Sequence, residues 1–221
     1  MVLLRALVLD MDGVLVNSNP WHRHTWREFC AGYGLHLTAE QERWMYGRRN
    51  DEIVRAFFGE RLDPSEVERR GRQKEALFRE RIAPHLAEAA VSGVREFLEL
   101  HGRVPAALAS NAERANVDFV LAGLSLEGRF QAVVSGEEVA RPKPHPEIYR
   151  RAAGLLGMEP AGCLVFEDSL AGVTSAREAG ARVVGLSTSH EWLPGAERMF
   201  PDFRDAGLAR FVSGFLGGVG A

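Results

Sequence analysis

Cysteine, lysine, long apolar runs and net charge are all scarce in this 221-residue sequence, and each scarcity closes a class of reading. The two cysteines, Cys30 and Cys163, lie far apart and match neither a metal-ligand nor a redox spacing, so both are expected to be free, buried thiols. The 27 Lys and Arg against 30 Asp and Glu leave a formal charge of −3, which offers no basic face for nucleic acid or an anionic membrane. No apolar run approaches the roughly 20 residues of a membrane-spanning helix. The apolar start is interrupted by Arg5 and Asp10 and is followed by no small-residue cleavage site, so the expected location is the cytoplasm. Lysine is the scarcest charged type: Lys74 and Lys143 are the only two, and arginine supplies every other basic residue. A chain that uses arginine so freely makes each lysine a candidate for a role that needs a compact ammonium. With 46% hydrophobic and 26% charged residues and no internal repeat, what remains is the composition of a globular protein, long enough for one large domain or two smaller ones.

The pattern along the chain alternates short apolar runs with amphipathic segments. Runs at Leu4–Asp10, Val104–Ala109, Gln131–Ser135, Cys163–Glu167 and Arg182–Leu186 read as buried strands. The segments Asn111–Gly123, Pro146–Gly157 and Ser169–Gly180 read as helices, each closed by a glycine at the expected C-terminal cap. Such alternation predicts an α/β fold with a doubly wound parallel sheet. The stretch 17–84 breaks the rhythm. It carries helical spacing at Pro20–Tyr33, Ala39–Tyr46, Asp51–Phe58 and Pro64–Arg81, with caps at Thr38 and Asp63, and no strand. We therefore expect a catalytic core from residues 1–16 and 85–221, interrupted by an all-helical cap domain, 17–84. A glycine-rich tail, Gly214–Ala221, is expected to fray.

In an open parallel sheet, ligands bind beyond the carboxyl ends of the strands. Here those ends carry Asp10 and Asp12, then Ser110 and Asn111, then Glu167 and Asp168, with Lys143 held between two prolines after the third strand. Crowded carboxylates raise one another's pKa unless a cation neutralises them, and an oxygen-only donor set selects a hard divalent ion such as Mg²⁺. Asp10 could then attack phosphorus, Asp12 serve as general acid and base, and Ser110 and Lys143 hold phosphoryl oxygens, with Asn111 beside Ser110 a further candidate substrate contact. Each residue also has a plainer reading: Asp10 and Asp12 as turn residues, Ser110 with Asn111 and Asp168 with Ser169 as helix caps, and either lysine as a solvated charge.

Asp10-Met-Asp-Gly-Val, Ala109-Ser-Asn, Arg141-Pro-Lys-Pro and Val165-Phe-Glu-Asp-Ser-Leu-Ala-Gly-Val, in that order, resemble the four motifs of the haloacid dehalogenase-like hydrolases, and the helical insertion falls where that family carries its cap. The resemblance implies a phosphorylated Asp10, Asp12 as acid and base, and phosphate binding by Ser110 and Lys143. It also implies Mg²⁺ held by Asp10, the Asp12 backbone carbonyl and Asp168, with Glu167 beside it. A second aspartate at Asp12 distinguishes the phosphoryl-transfer members from the dehalogenases.

The Phe166–Gly172 run, His22 and Trp26 are similar to the branch that contains β-phosphoglucomutase and the sugar-phosphate phosphatases, in which Lys74 falls at a phosphate-reaching position. The favoured reading is a Mg²⁺-dependent phosphatase of a small phosphorylated metabolite, most simply a sugar phosphate, that acts as a monomer or weak homodimer without nucleic-acid or membrane partners. Ser110-Asn111 resembles the phosphatases, and Asn50 stands where the mutases carry a distal arginine, although Arg48 or Arg49 could substitute. The alternatives are a hexose-phosphate mutase and a non-catalytic phosphometabolite-binding protein. His22, Trp26, the Trp44-Met45-Tyr46 cluster and Phe57-Phe58 are expected to pack within the cap. Arg49, Arg48 and Lys74 are its candidate substrate contacts.

Overall fold

The computed structural model describes residues 5–45 and 48–217. Leu4, which opens one predicted segment, Tyr46, which closes another, Gly47, and the last four residues of the glycine-rich tail lie outside them. In chain order the elements are β1 (Ala6–Leu9), α1 (Asn19–Ala31), α2 (Ala39–Trp44), α3 (Asn50–Phe58), α4 (Pro64–Ile82), α5 (Leu86–Ala89), α6 (Val94–Leu100), β2 (Ala106–Ala109), α7 (Arg114–Gly123), β3 (Ala132–Val134), α8 (Glu147–Leu155), β4 (Cys163–Glu167), α9 (Leu170–Ala179), β5 (Arg182–Leu186), β6 (Met199–Phe200) and α10 (Ala206–Gly217). They form two compact units. One runs to Asn17 and resumes at Ala87; the other is Ser18–Leu86.

The first unit is built on a parallel six-stranded sheet in the order β3-β2-β1-β4-β5-β6. Its register sets Leu7 beside Ala106 on one side and Leu164 on the other. Side chains alternate between the two faces of a strand, so each strand contributes two sets. Ala6 and Val8, Ala107 and Ala109, and Cys163 and Val165 share a core with Ile148, Tyr149, Ala152 and Ala153 of α8 and Val173 and Ala176 of α9. The alternate positions, including Leu7, Leu9, Leu108, Leu164 and Phe166, are fully buried as well. Both faces are covered, as βαβ crossovers require of a parallel sheet, and the strands accordingly read as unbroken apolar runs. The Phe166 ring lies against Phe97 of α6 and Phe203, with centroids 5.3 and 5.6 Å away.

The second unit is helical, with a core of Trp26, Cys30, Met45, Ile53, Val54 and Val67. Two predicted caps form as local chemistry demands. Thr38 and Gln41 exchange hydrogen bonds between side chain and backbone N–H, and the Asp63 carboxylate accepts from the Ser65 N–H.

Four expectations are corrected. The sheet gains a sixth strand, β6, too short to show period-two patterning. Gly123 is the last residue of α7 rather than its left-handed cap; Ser125 takes the positive φ of 54° instead. Gly214–Gly217 belongs to α10, whose apolar Leu208, Val212 and Phe215 are buried, so this part of the tail is helical. Trp44, expected in the cap core, is exposed, with the Arg48 guanidinium over its ring.

Helix α9 leaves β4 so tightly that a Cβ on Gly172 would fall on the Glu167 carboxylate, whereas one on Gly154 of α8 meets open space. Gly172→Ala is therefore expected to destabilise the protein by about 1–3 kcal/mol, as overpacking does, and Gly154→Ala to be neutral or stabilising by up to about 1 kcal/mol. Phe166→Ala, which empties the centre of the aromatic layer, is expected to cost about 3–5 kcal/mol. Urea denaturation of the three variants beside the parent checks all three signs.

Candidate active site

The strand order reverses direction between β1 and β4, and that switch point is where a doubly wound sheet binds ligands. Asp10 follows β1 and Glu167 ends β4. Period two puts Asp10 on the face of Ala6 and Val8, and Glu167 on the face of Cys163 and Val165, which is the face that α8 covers. The Asp10 N–H donates to the Phe166 carbonyl at 3.1 Å, tying the two strand ends together. Asp10, Ser110, Lys143, Glu167 and Asp168 are all buried here.

Lys143 links the loops. Its Nζ donates to Asp10 Oδ1 at 2.5 Å, to Glu167 Oε1 at 2.7 Å and to the Ala109 carbonyl at 2.9 Å, which uses all three ammonium hydrogens. The Tyr149 ring lies 4.7 Å below the ammonium, and the Tyr149 hydroxyl donates to Glu167 Oε1 at 2.7 Å. The other oxygen of Glu167 accepts from the N–H groups of Asp168 and Ser169 and from the Ser169 hydroxyl. Five donors therefore converge on one carboxylate. The Ser169 hydroxyl in turn accepts from the Gly172 N–H and caps α9.

These surroundings separate the carboxyl groups. Burial raises the pKa of Glu167, but Lys143 and its hydrogen bonds outweigh it, and Glu167 is held below its ordinary value. For Asp10, burial dominates, opposed by Lys143 and reinforced by Glu167, Asp12 and Asp168, so its pKa stands well above the ordinary carboxylate range. Burial and the charge of Glu167 push Asp168 up to about 7, against a hydrogen bond from Ser189. Burial disfavours the charged form of Lys143, yet Asp10 and Glu167 more than compensate and raise its pKa.

Two reluctant carboxyl groups beside a third that is ionised form a pocket that a divalent cation would relieve. Asp10, Glu167 and Asp168 offer oxygens that all lie within 4.8 Å of one another, and a set of oxygens alone suits a hard ion. Since Glu167 is engaged by five donors, Asp10 and Asp168 are the two better fitted to such an ion. Asp12 is half-buried, and its charge contributes to the raised pKa of both Asp10 and Asp168.

The remaining predicted residues divide. Ser110 Oγ accepts from the Ala112 N–H at 3.1 Å at the end of β2. The Asn111 side chain lies on the main chain of Lys143. Lys74 belongs to the second unit and is buried, not solvated: its Nζ pairs with Glu75 at 2.9 Å and lies 2.6 Å from His22 Nδ1. Asn50 donates to the same Glu75 oxygen. Arg49 stands apart, exposed and paired with Asp51. The sequence reading omitted Tyr149 and Ser189. Tyr149 sits among apolar residues at helical spacing and reads as core. Ser189 follows β5, a strand end that the rule for parallel sheets would have included.

The profile of the haloacid dehalogenase-like hydrolases matches residues 4–180. Protein CbbY of Rhodobacter capsulatus is 33% identical over 211 residues, covering 91% of this chain and 92% of that protein. The fructose-1-phosphate phosphatase YqaB of Escherichia coli is 31% identical over 184 residues, covering 82% and 95%. Among solved structures, that of CbbY from Rhodobacter sphaeroides in complex with phosphate superposes with a TM-score of 0.75 at 25% identity, covering 94% of this chain and 97% of that one. With the four motifs gathered at the switch point of the sheet, this chain belongs to the haloacid dehalogenase-like hydrolases.

Proposed function

We propose that this protein is a Mg²⁺-dependent phosphatase that hydrolyses a small phosphorylated metabolite, a sugar monophosphate in the first instance, through a phospho-Asp10 intermediate. The observation that carries the reading is the buried constellation of Asp10, Lys143, Glu167 and Asp168 at the switch point. The relationship to a fructose-1-phosphate phosphatase supports the substrate class.

Asp10 and Asp168 would hold Mg²⁺, with the Asp12 backbone carbonyl as the family resemblance implies; the bound ion would supply positive charge against the phosphoryl oxygens and keep Asp10 ionised. Asp10 then attacks phosphorus. The P–O bond to the sugar breaks, and Asp12 donates its proton to the departing oxygen. In the second half, Asp12 takes a proton from water, the water oxygen attacks phosphorus, and the Asp10–phosphorus bond breaks to give inorganic phosphate and the free carboxylate. Lys143 and the Ser110 hydroxyl stabilise the charge that spreads over the phosphoryl oxygens. Glu167 holds the Lys143 ammonium against Asp10.

Phosphatase rather than mutase is favoured by the neutral Asn50, which donates to Glu75 where the mutases would carry an arginine, and by Arg49, which is paired with Asp51 at the surface.

Phosphate release from a panel of sugar and small-metabolite monophosphates should require Mg²⁺, vanish with EDTA and return when Mg²⁺ is restored. Isomerisation of β-glucose 1-phosphate in the presence of the bisphosphate, with little phosphate release, would overturn the reading in favour of the mutase. Asp10→Asn should lose more than about 10³-fold in kcat with its fold intact. Lys143→Arg should lose about 10²-fold or more, because a planar fork cannot place its donors where one ammonium serves three acceptors. Unchanged kinetics in either variant would remove that residue from the mechanism.

A further inference from the structure

We propose that Asn111 is a positioning residue that clasps the main chain of Lys143 and thereby sets its ammonium against Asp10, rather than a contact for the substrate. The inference rests on reading Asp10 and Lys143 as the reacting pair. Both ends of the Asn111 amide are committed to Lys143: Oδ1 accepts from the Lys143 N–H at 3.0 Å, and Nδ2 donates to the Lys143 carbonyl at 3.3 Å. The reverse orientation of the amide would set donor against donor and acceptor against acceptor, so the geometry admits only this one.

The neighbours of Lys143 explain why a clasp is needed. Pro142 and Pro144 have no N–H, so Lys143 carries the one main-chain donor in that tripeptide, and Asn111 takes it. No strand pairing holds the segment. The base of the clasp is itself fixed: the Ser110 N–H donates to Val134 at 3.0 Å, the Gly136 N–H donates to Ala112 at 2.9 Å, and Gly136 packs so closely that a Cβ there would fall on the Asn111 carbonyl. Helices hold the flanks of this loop, since the Ala140 and Arg141 N–H groups donate to Glu147 of α8 and the Ser175 hydroxyl of α9 donates to the His145 carbonyl, and Asn111 transmits the position of β2 to the main chain of Lys143 between them. At its far end the lysine spans from that clasp to Asp10, Ala109 and Glu167. Freed at its main chain, the side chain has its ammonium restrained but its root loose, and a misplacement of about 1 Å can cost 10²-fold in rate.

The test compares Asn111→Leu, close in size but unable to make either bond, with the parent. The expected result is a kcat lower by about 10- to 100-fold with KM nearly unchanged. In a Lys143→Ala background the same change should cost less than about twofold more, because a residue acting only through Lys143 has nothing left to act on. Losses that multiply in the double variant, with a raised KM, would make Asn111 a substrate contact and overturn the proposal. A second readout needs no turnover. The chain has two lysines, so a protein grown on ¹⁵N-lysine gives two side-chain ammonium signals, which Lys74→Arg assigns. Asn111→Leu should shift the Lys143 signal or speed its hydrogen exchange while leaving that of Lys74 in place, and an unmoved Lys143 signal overturns the clasp. Asn111→Ser serves both measurements if the leucine variant does not fold. A parent protein that releases no phosphate from any panel member would defeat the phosphatase reading, and the ammonium signals would still decide the clasp.

Discussion

One ammonium among three carboxyl groups, all withdrawn from water, is the constraint around which the first unit is arranged. Removing an ion from water costs several kcal/mol even after relaxation, and attraction offsets this only where the remaining donors and acceptors are also satisfied. Lys143 meets the condition with three acceptors for three hydrogens, and Glu167 meets it with five donors. Those groups come from the ends of β1, β2 and β4, from α8 and from the start of α9. Only a sheet with β1 between β2 and β4 brings them to one point, so the topology and the charge cluster specify each other.

The cluster also divides labour between chemically similar groups. Asp10 and Glu167 share the same lysine and the same burial. Glu167 receives hydrogen bonds on both oxygens and stays ionised as a fixed counter-charge, whereas Asp10 is left with a raised pKa and a reason to bind a cation. Environments that drive the pKa values of neighbouring carboxyl groups apart are how one fold assigns a structural and a reactive role to the same functional group. The close approach of Gly172 beneath Glu167 belongs to the structural half of that division.

Most of this was legible because it follows from short-range rules. Short unbroken apolar runs marked the strands, and strand ends gave Asp10, Ser110, Asn111, Glu167 and Asp168. Partners set by tertiary packing were not legible. Tyr149 shares its helix face with Ile148, Ala152 and Ala153, and nothing in the spacing shows that its hydroxyl meets a carboxylate. Asn111 was found as a polar residue at the right place, but its partner lies 32 residues away in a loop without periodicity. For Lys74 it is the plainer of the two readings, a solvated charge, that burial overturns. The many Arg and Glu residues of α4 suggested a solvated face, yet Val67, Gly71, Lys74, Glu75, Phe78 and Ile82 are the buried positions of that helix, recurring at spacings of three and four. The stripe was in the sequence, and composition masked it.

The rarity of lysine has a physical account in these two positions. Arginine carries five donors in a rigid fork and is best satisfied where a carboxylate can meet it edge to edge, as in the partly exposed pairs Arg182–Glu197 and Arg81–Glu28. In the pocket of Lys143, three acceptors surround one point, and a guanidinium would leave donors buried without partners, at a cost of about 1–3 kcal/mol each. Lys74 is enclosed in the same way, with Glu75 and His22 as polar neighbours and the rings of Trp26 and Phe78 on its flanks at 5.2 and 5.5 Å. In those partly exposed pairs water completes the solvation of the guanidinium, whereas around the single buried nitrogens of Lys74 and Lys143 the protein completes it alone.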